Sequence, residues 1–143
     1  MSEDLRIALA RKLFAAWSSG DADAPAAFLA PDAELYDVVA GHRFEGWPAI
    51  RTFFADGAKQ WPDLAFEMLD FWTNDRGVAA KWVMAATVAD DRFGPETRGK
   101  RWRAEGMSEL VISGDRVTHE TDIWNGAQIM SSLGIAPRRR EAN

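Results

Sequence analysis

Four strand-like runs fill the C-terminal half of the chain with little between them, and this restricts the fold more than any other feature. "LAFEMLDFWT", "GVAAKWVMAATVAD", "KRWRAEGMSELVIS" and "RVTHETDIWN" are parted by the turn signals Asn74-Asp75-Arg76-Gly77, Phe93-Gly94-Pro95 and Ser113-Gly114-Asp115. Connections this short join antiparallel neighbours, because a parallel crossover needs a dozen or more residues. The first half has a different period. Leu5, Leu9, Leu13 and Trp17 recur every four residues within 2–19, the stripe of a helix that Ser2, Glu3 and Asp4 start and Gly20 ends. "DADAPAAFLA" predicts a short second helix anchored by Phe28 and Leu29, followed by a turn at Pro31-Asp32. "AELYDVVAGHRFEG" predicts a hairpin around Ala40-Gly41. A third helix then starts at Pro48, turns Ile50, Phe53 and Phe54 inward and stops at Pro62, while "AQIMSSLG" closes the chain as a short helix. Helices first and long antiparallel strands after is an α+β layout, with the helices covering one face of the sheet. A sheet that curls around them leaves a conical cavity.

The totals fit this plan. The 143 residues suit one domain, 1–143, with a core of about 5–135 and a tail at 136–143. Hydrophobic residues make up 47%, enough for a packed core. A net charge of -5 argues against nucleic acid, whose phosphates need a basic stripe, and the one dense basic run, "PRRR" at 137–140, reads as a solvated end. The absence of Cys removes disulfides, thiolate catalysis and zinc–thiolate sites, and only His42 and His119 remain as imidazole ligands, so no metal site is expected. The acidic start without a long apolar run is neither signal peptide nor membrane anchor, which makes a cytoplasmic location the expectation. Seven Trp and eight Phe stand against one Tyr, rings that build a core or wall an apolar ligand site.

Strand alternation then asks where the carboxylates of "RVTHETDIWNG" point. Thr118, Glu120, Asp122 and Trp124 share one face, and Val117, His119, Thr121 and Ile123 the other. In the preceding strand Ala104, Gly106, Ser108 and Leu110 form one face and Arg103, Glu105, Met107, Glu109 and Val111 the other. A row of Ala, Gly and Ser fills little volume and makes sense where something else occupies the space beside it. Pairing across Ser113-Gly114-Asp115 sets Glu120 and Asp122 beside that row. A carboxyl there is desolvated, which raises its pKa and suits it to trade protons. The plainer alternative for Asp122 and Glu120 is solvation or pairing with Lys or Arg. For Asp37 in "LYDVVA" it is a turn residue accepting backbone N–H bonds. His119, His42 and Arg43 read as surface.

The order of elements, with "FEGWPAIRTFF", "QWPDLAFEM", "ETRGKRWRAEGMSELVISGDRVTHETDIWN" and "AQIMSSLGI", resembles the nuclear-transport-factor-2-like superfamily, and within it the SnoaL-like polyketide cyclases. The resemblance runs from about Leu5 to Ile135 and implies a cone-shaped, curved antiparallel sheet wrapped around N-terminal helices. It implies a catalytic Asp at Asp122 and, by likeness to ketosteroid isomerase, a base at Asp37. Leu13 and Ser108 stand where that isomerase carries its oxyanion donors, and "AAKWVMAA" has Lys81 but not the second Asp of limonene epoxide hydrolase, so neither of those chemistries is implied intact. What the resemblance implies is cofactor-free acid/base chemistry, of cyclase or isomerase type, on a small apolar carbonyl compound. Trp17, Phe28, Leu35, Phe54, Trp61, Trp82, Leu110 and Trp124 are the candidate walls, with Ser108 and Glu120 beside Asp122; an aromatic at regular spacing is also ordinary core. By the same analogy the outer face, Arg103 to Glu109, packs on a second subunit to form a homodimer. A non-catalytic small-molecule-binding or dimerisation module of the same fold is the alternative.

Overall fold

In the computed structural model, residues 1–135 are described, and the tail expected at 136–143, with its basic run, lies outside them. Helix α1, Glu3–Trp17, begins where the Ser2 side chain accepts the Leu5 N–H at 3.2 Å and carries Glu3 and Asp4 in its first turn. Its buried stripe is Leu9, Ala10, Leu13, Phe14 and Trp17, while Leu5 is exposed. A four-residue repeat drifts about 40° per step around a 3.6-residue helix, so a stripe centred on Leu13 has left Leu5 behind.

The segment expected as a second helix is only a 3₁₀ turn, Ala24–Ala27. Strand β1, Leu29–Asp37, starts directly after it and runs through Pro31-Asp32, where a turn was expected. The pairing of β1 shifts register between Leu29 and Glu34, so Pro31, which has no N–H to give, sits where the ladder is interrupted. Strand β2, His42–Glu45, completes the hairpin, and Gly41 takes the positive φ its turn requires. Helix α2 is Trp47–Gln60, followed by β3 at Ala65–Asn74, β4 at Gly77–Thr87, β5 at Arg101–Ser113, β6 at Arg116–Trp124 and α3 at Gly126–Ser132.

The six strands form one curved, unclosed sheet in the order β2-β1-β6-β5-β4-β3. The four C-terminal strands are antiparallel: tight turns dictate this for β3–β4 and β5–β6, while β4 and β5 pair across a longer connection, 88–100, that holds a 3₁₀ turn at Pro95–Thr97. The β1–β6 pairing is parallel, which makes the sheet mixed rather than wholly antiparallel. The two strands lie far apart in sequence, so no short turn constrains their direction. The helices pack on the concave face, where Leu13, Ile50 and Leu110 are fully buried. No helix among the described residues is long and apolar enough to cross a membrane.

A bulge decides which residues of β6 face inward. Val111 pairs with His119 but Ile112 pairs with Val117, leaving Thr118 as the extra residue. Simple alternation puts Val117 with His119; the bulge instead turns Val117 inward beside Glu120, both buried, and leaves Thr118 with its hydroxyl on the Val111 carbonyl at 3.2 Å. From Glu120 onward alternation holds.

Candidate functional site

A cavity of about 400 Å³ lies between the helices and the concave sheet face. Among the described residues only three charged side chains line it, all carboxyls: Asp37 from β1 and Glu120 and Asp122 from β6. The rest of the wall is aromatic, aliphatic or glycine, and no Lys, Arg or His among the described residues reaches it.

Strand register sets the surroundings of each carboxyl. On β6, Asp122 is flanked by Asp37 on one side and Ser108 on the other, while Glu120 is flanked by Leu35 and Leu110. The Ser108 hydroxyl donates to Asp122 Oδ1 at 2.5 Å and accepts the Trp82 indole N–H at 3.0 Å. Trp17 donates its Nε1–H to Glu120 Oε1 at 3.0 Å, and Trp124 donates to Asp37 Oδ1 at 3.0 Å. That Asp37 oxygen also accepts the Ala40 N–H at 3.1 Å, so Asp37 holds its turn and lines the cavity at once. Three indoles thus act as polar donors, each wedging its ring into the wall while its N–H supports the acidic cluster.

These surroundings separate the two carboxyls of β6. Burial pushes Glu120, 3% exposed, well above the usual carboxylate range; the neighbouring Asp122 charge adds to this and the Trp17 bond only opposes it. Burial also raises Asp122, to about 6, where the Ser108 hydroxyl and a hydrogen bond from Glu120 hold it down against the charge of Asp37. Burial thus biases Glu120 toward its acid form, while the Ser108 hydroxyl favours the anion of Asp122.

Of the residues singled out from sequence, Trp17, Leu35, Asp37, Phe54, Trp61, Trp82, Glu120, Asp122 and Trp124 line the cavity. Ser108 and Leu110 do not: Ser108 lies behind Asp122 as its donor, and Leu110 is core against the helices. Phe28 also packs on the core instead of the wall. The space beside Ala104, Gly106 and Ser108 is filled by the Trp82 ring, which lies where a Cβ on Gly106 would go. Lys81, His42, Arg43 and His119 are exposed, His119 with its Nε2 3.4 Å from Glu34. Sequence reasoning missed Trp102 and the far wall around it. Trp102 meets Trp61 edge-on at 5.2 Å, with Phe93 and the α3 residues Ile129 and Met130 nearby on the wall. Trp102 shares the inner face of β5 with Ala104 and Gly106, so the alternation that found those two also contained it. No group of three or more His, Cys, Asp or Glu among the described residues is arranged to hold a metal ion.

The SnoaL-like domain model matches residues 10–120, ending two residues before Asp122. Among solved structures, AclR of Streptomyces galilaeus, provisionally described as a hydroxylase, is 23% identical, with a TM-score of 0.79 over 98% of this chain and 91% of its own. IdmH of Streptomyces antibioticus, provisionally described as a polyketide cyclase, is 17% identical, with a TM-score of 0.81 over 91% of this chain and 99% of its own. A protein of ketosteroid-isomerase-like fold from Catenulispora acidiphila, in complex with trimethylamine, is 14% identical, with a TM-score of 0.78 over 90% of this chain and 93% of its own. At these identities the likeness establishes fold. No curated protein matches the chain in sequence.

Proposed function

The chain belongs to the SnoaL-like domain family, and from that premise we propose that it is a small-molecule enzyme of cyclase or isomerase type, with Asp122 as its proton-abstracting base. The observation that carries this is a single one: a carboxyl with a pKa of about 6 lines a cavity whose wall is apolar apart from Asp37 and Glu120. A base titrating near the working pH combines the ionised form with useful basicity. The apolar walls fit a ring compound bearing a carbonyl, and the acidic lining disfavours a substrate that is itself an anion. Proton removal next to a carbonyl, then closure of the resulting enol onto an acceptor carbonyl, needs a positioned base and a folded substrate, with no cofactor in the step. Asp37, held by Trp124, orients the polar end of the substrate or a water beside Asp122. A cavity without converging polar groups would have favoured a passive binder instead.

The test uses 2-tetralone, a bicyclic ketone with exchangeable protons beside its carbonyl. In D₂O, followed by proton NMR, the protein accelerates loss of those protons. Asp122→Asn reduces that rate by about 10²- to 10⁴-fold while 2-tetralone still binds. Equal exchange by wild type and Asp122→Asn refutes the assignment of the base, and binding without exchange in either protein makes this a carrier.

The same reading includes self-association through the convex sheet face. Asp70, Lys81, Met107 and Ile123 form one row across β3 to β6, with Met107 and Ile123 exposed and Glu105, Glu109 and Arg103 alongside. Apolar centres rimmed by both charge signs suit a two-fold contact between copies. Sedimentation of wild type against Ile123→Lys tests it: a dimer that becomes a monomer supports the contact, and no change removes it.

A further inference from the structure

Glu120 has no part in the chemistry described so far, yet it is the least exposed of the three carboxyls on the cavity wall. It sits on the inward face of β6, two residues from Asp122. Successive inward residues on a strand start about 7 Å apart, but these two carboxyls lean together into a hydrogen bond, so a ketone oxygen must replace Asp122 as the acceptor of the Glu120 proton. Its cross-strand neighbours, Leu35 and Leu110, are both buried and offer it no polar contact. From α1 comes one donor, the Trp17 indole, which occupies Oε1 and leaves Oε2 without a protein donor. The charged or titratable groups facing it across the cavity are Asp122 and Asp37, and no cation among the described residues joins them. Apart from the Trp17 N–H, which favours the anion, the surroundings of Glu120 favour the carboxylic acid over the carboxylate, whereas Asp122 receives a hydroxyl that favours its anion. Two carboxyls pushed apart in this way, opening on one cavity, form an acid and a base.

Resting on the enolisation reading above, we propose that Glu120 is a second catalytic residue, the acid that gives its proton to the substrate's carbonyl oxygen while Asp122 takes the proton from the adjacent carbon. The bookkeeping closes without a co-reactant. The C–H pair becomes the enol C=C bond, the carbonyl π pair moves to oxygen, and that oxygen binds the Glu120 proton. Glu120 is left as carboxylate and Asp122 as acid. When the enol carbon bonds to an acceptor carbonyl, the acceptor oxygen takes the proton from Asp122 and the enol O–H returns its proton to Glu120. The substrate class narrows accordingly: an uncharged apolar ketone whose oxygen reaches the Trp17 side of the cluster and whose acidic C–H faces the Ser108 side.

Glu120→Gln keeps the size of the side chain and an oxygen for the Trp17 N–H, but has no proton to transfer. Two measurements on the full chain test the assignment. The first is carbon-13 NMR of side-chain-carboxyl-labelled Glu and Asp across pH 4 to 9. The Glu120 signal keeps the shift of a protonated carboxyl at pH 7, after Asp122 has titrated; a Glu120 carboxyl ionised by pH 5 overturns the proposal. The second is 2-tetralone exchange in D₂O, with binding followed by tryptophan fluorescence. Glu120→Gln lowers exchange by about 10²-fold or more with less than about a threefold change in binding, and removes the fall in rate at high pH. Exchange lost in Asp122→Asn but unchanged in Glu120→Gln overturns the role of Glu120 and leaves Asp122 as base. Exchange unchanged in both variants, or absent from the wild type, overturns the enolisation reading and this assignment with it.

Discussion

If Asp122 is an acid held out of water for the sake of its chemistry, then replacing it stabilises the protein, and by an amount that depends on pH. Its pKa rises from 3.8 to about 6 on folding. A carboxyl with a raised folded-state pKa favours the native state at low pH, where both states are protonated, and that advantage is lost as pH climbs through the folded-state value, because the unfolded chain ionises first. The shift is about 2 pK units, and at about 1.4 kcal/mol per unit it amounts to about 3 kcal/mol, most of it developing between pH 4 and 7. Asp122→Asn has no proton to lose and keeps an oxygen to accept the Ser108 hydroxyl. It also removes the charge that helps to raise Glu120, which adds stability in the same direction. Urea unfolding of the two proteins at half-unit steps from pH 4 to 8 reads this directly. The difference in unfolding free energy is small near pH 4 and grows in favour of Asn by about 2 to 3 kcal/mol by pH 7. A chain of this size then melts several degrees higher, at about 3 °C per kcal/mol. A difference that stays flat across that range, or grows in favour of Asp, shows that Asp122 is solvated or paired and refutes the burial on which its activation depends.

Two further changes probe the support behind Asp122. Gly106→Ala sets a methyl group against the Trp82 ring and 2.7 Å from the Ile123 carbonyl oxygen; the variant loses about 1 to 3 kcal/mol in urea unfolding and its indole emission shifts as Trp82 moves off Ser108. Ser108→Ala takes the donor from Asp122 and the acceptor from Trp82. Its low-pH limb of 2-tetralone exchange moves to higher pH, because the lost bond was holding the Asp122 pKa down, and it loses about 1 to 3 kcal/mol of stability for the orphaned indole N–H.

Local signals carried much of the architecture, and long-range ones carried the site. Asn74 to Gly77 and Ser113 to Asp115 are turns that bind adjacent strands, so their composition alone pairs β3 with β4 and β5 with β6. Alternation placed Glu120, Asp122 and Trp124 on one face, and they do share the cavity wall. It failed at Val117 because a one-residue bulge at Thr118 leaves no compositional mark, and at Pro31 because a proline in an interrupted ladder looks the same in sequence as a proline in a turn. Asp37 illustrates the larger limit. Its turn-holding bond to Ala40 is local and legible. Its place opposite Asp122 comes from a parallel pairing across some 85 residues, a contact that no periodicity encodes.

The tryptophans show the same division between local and distant causes. Their number suggested greasy walls, and Trp17, Trp82 and Trp124 do lie on the wall. What composition does not reveal is that all three N–H groups end on the acidic cluster, two directly and one through Ser108. A Phe at each position would fill similar space, and Tyr would bring an ionisable hydroxyl that can also accept. Indole is the large apolar side chain whose polar atom only donates, so it can line an apolar cavity and still satisfy a carboxyl without neutralising it. A Lys or Arg in the same place would lower the pKa of Asp122 and Glu120 together. With indoles in place of cations, burial remains the main influence on both carboxyls, and the Ser108 hydroxyl favours the anion at Asp122 alone.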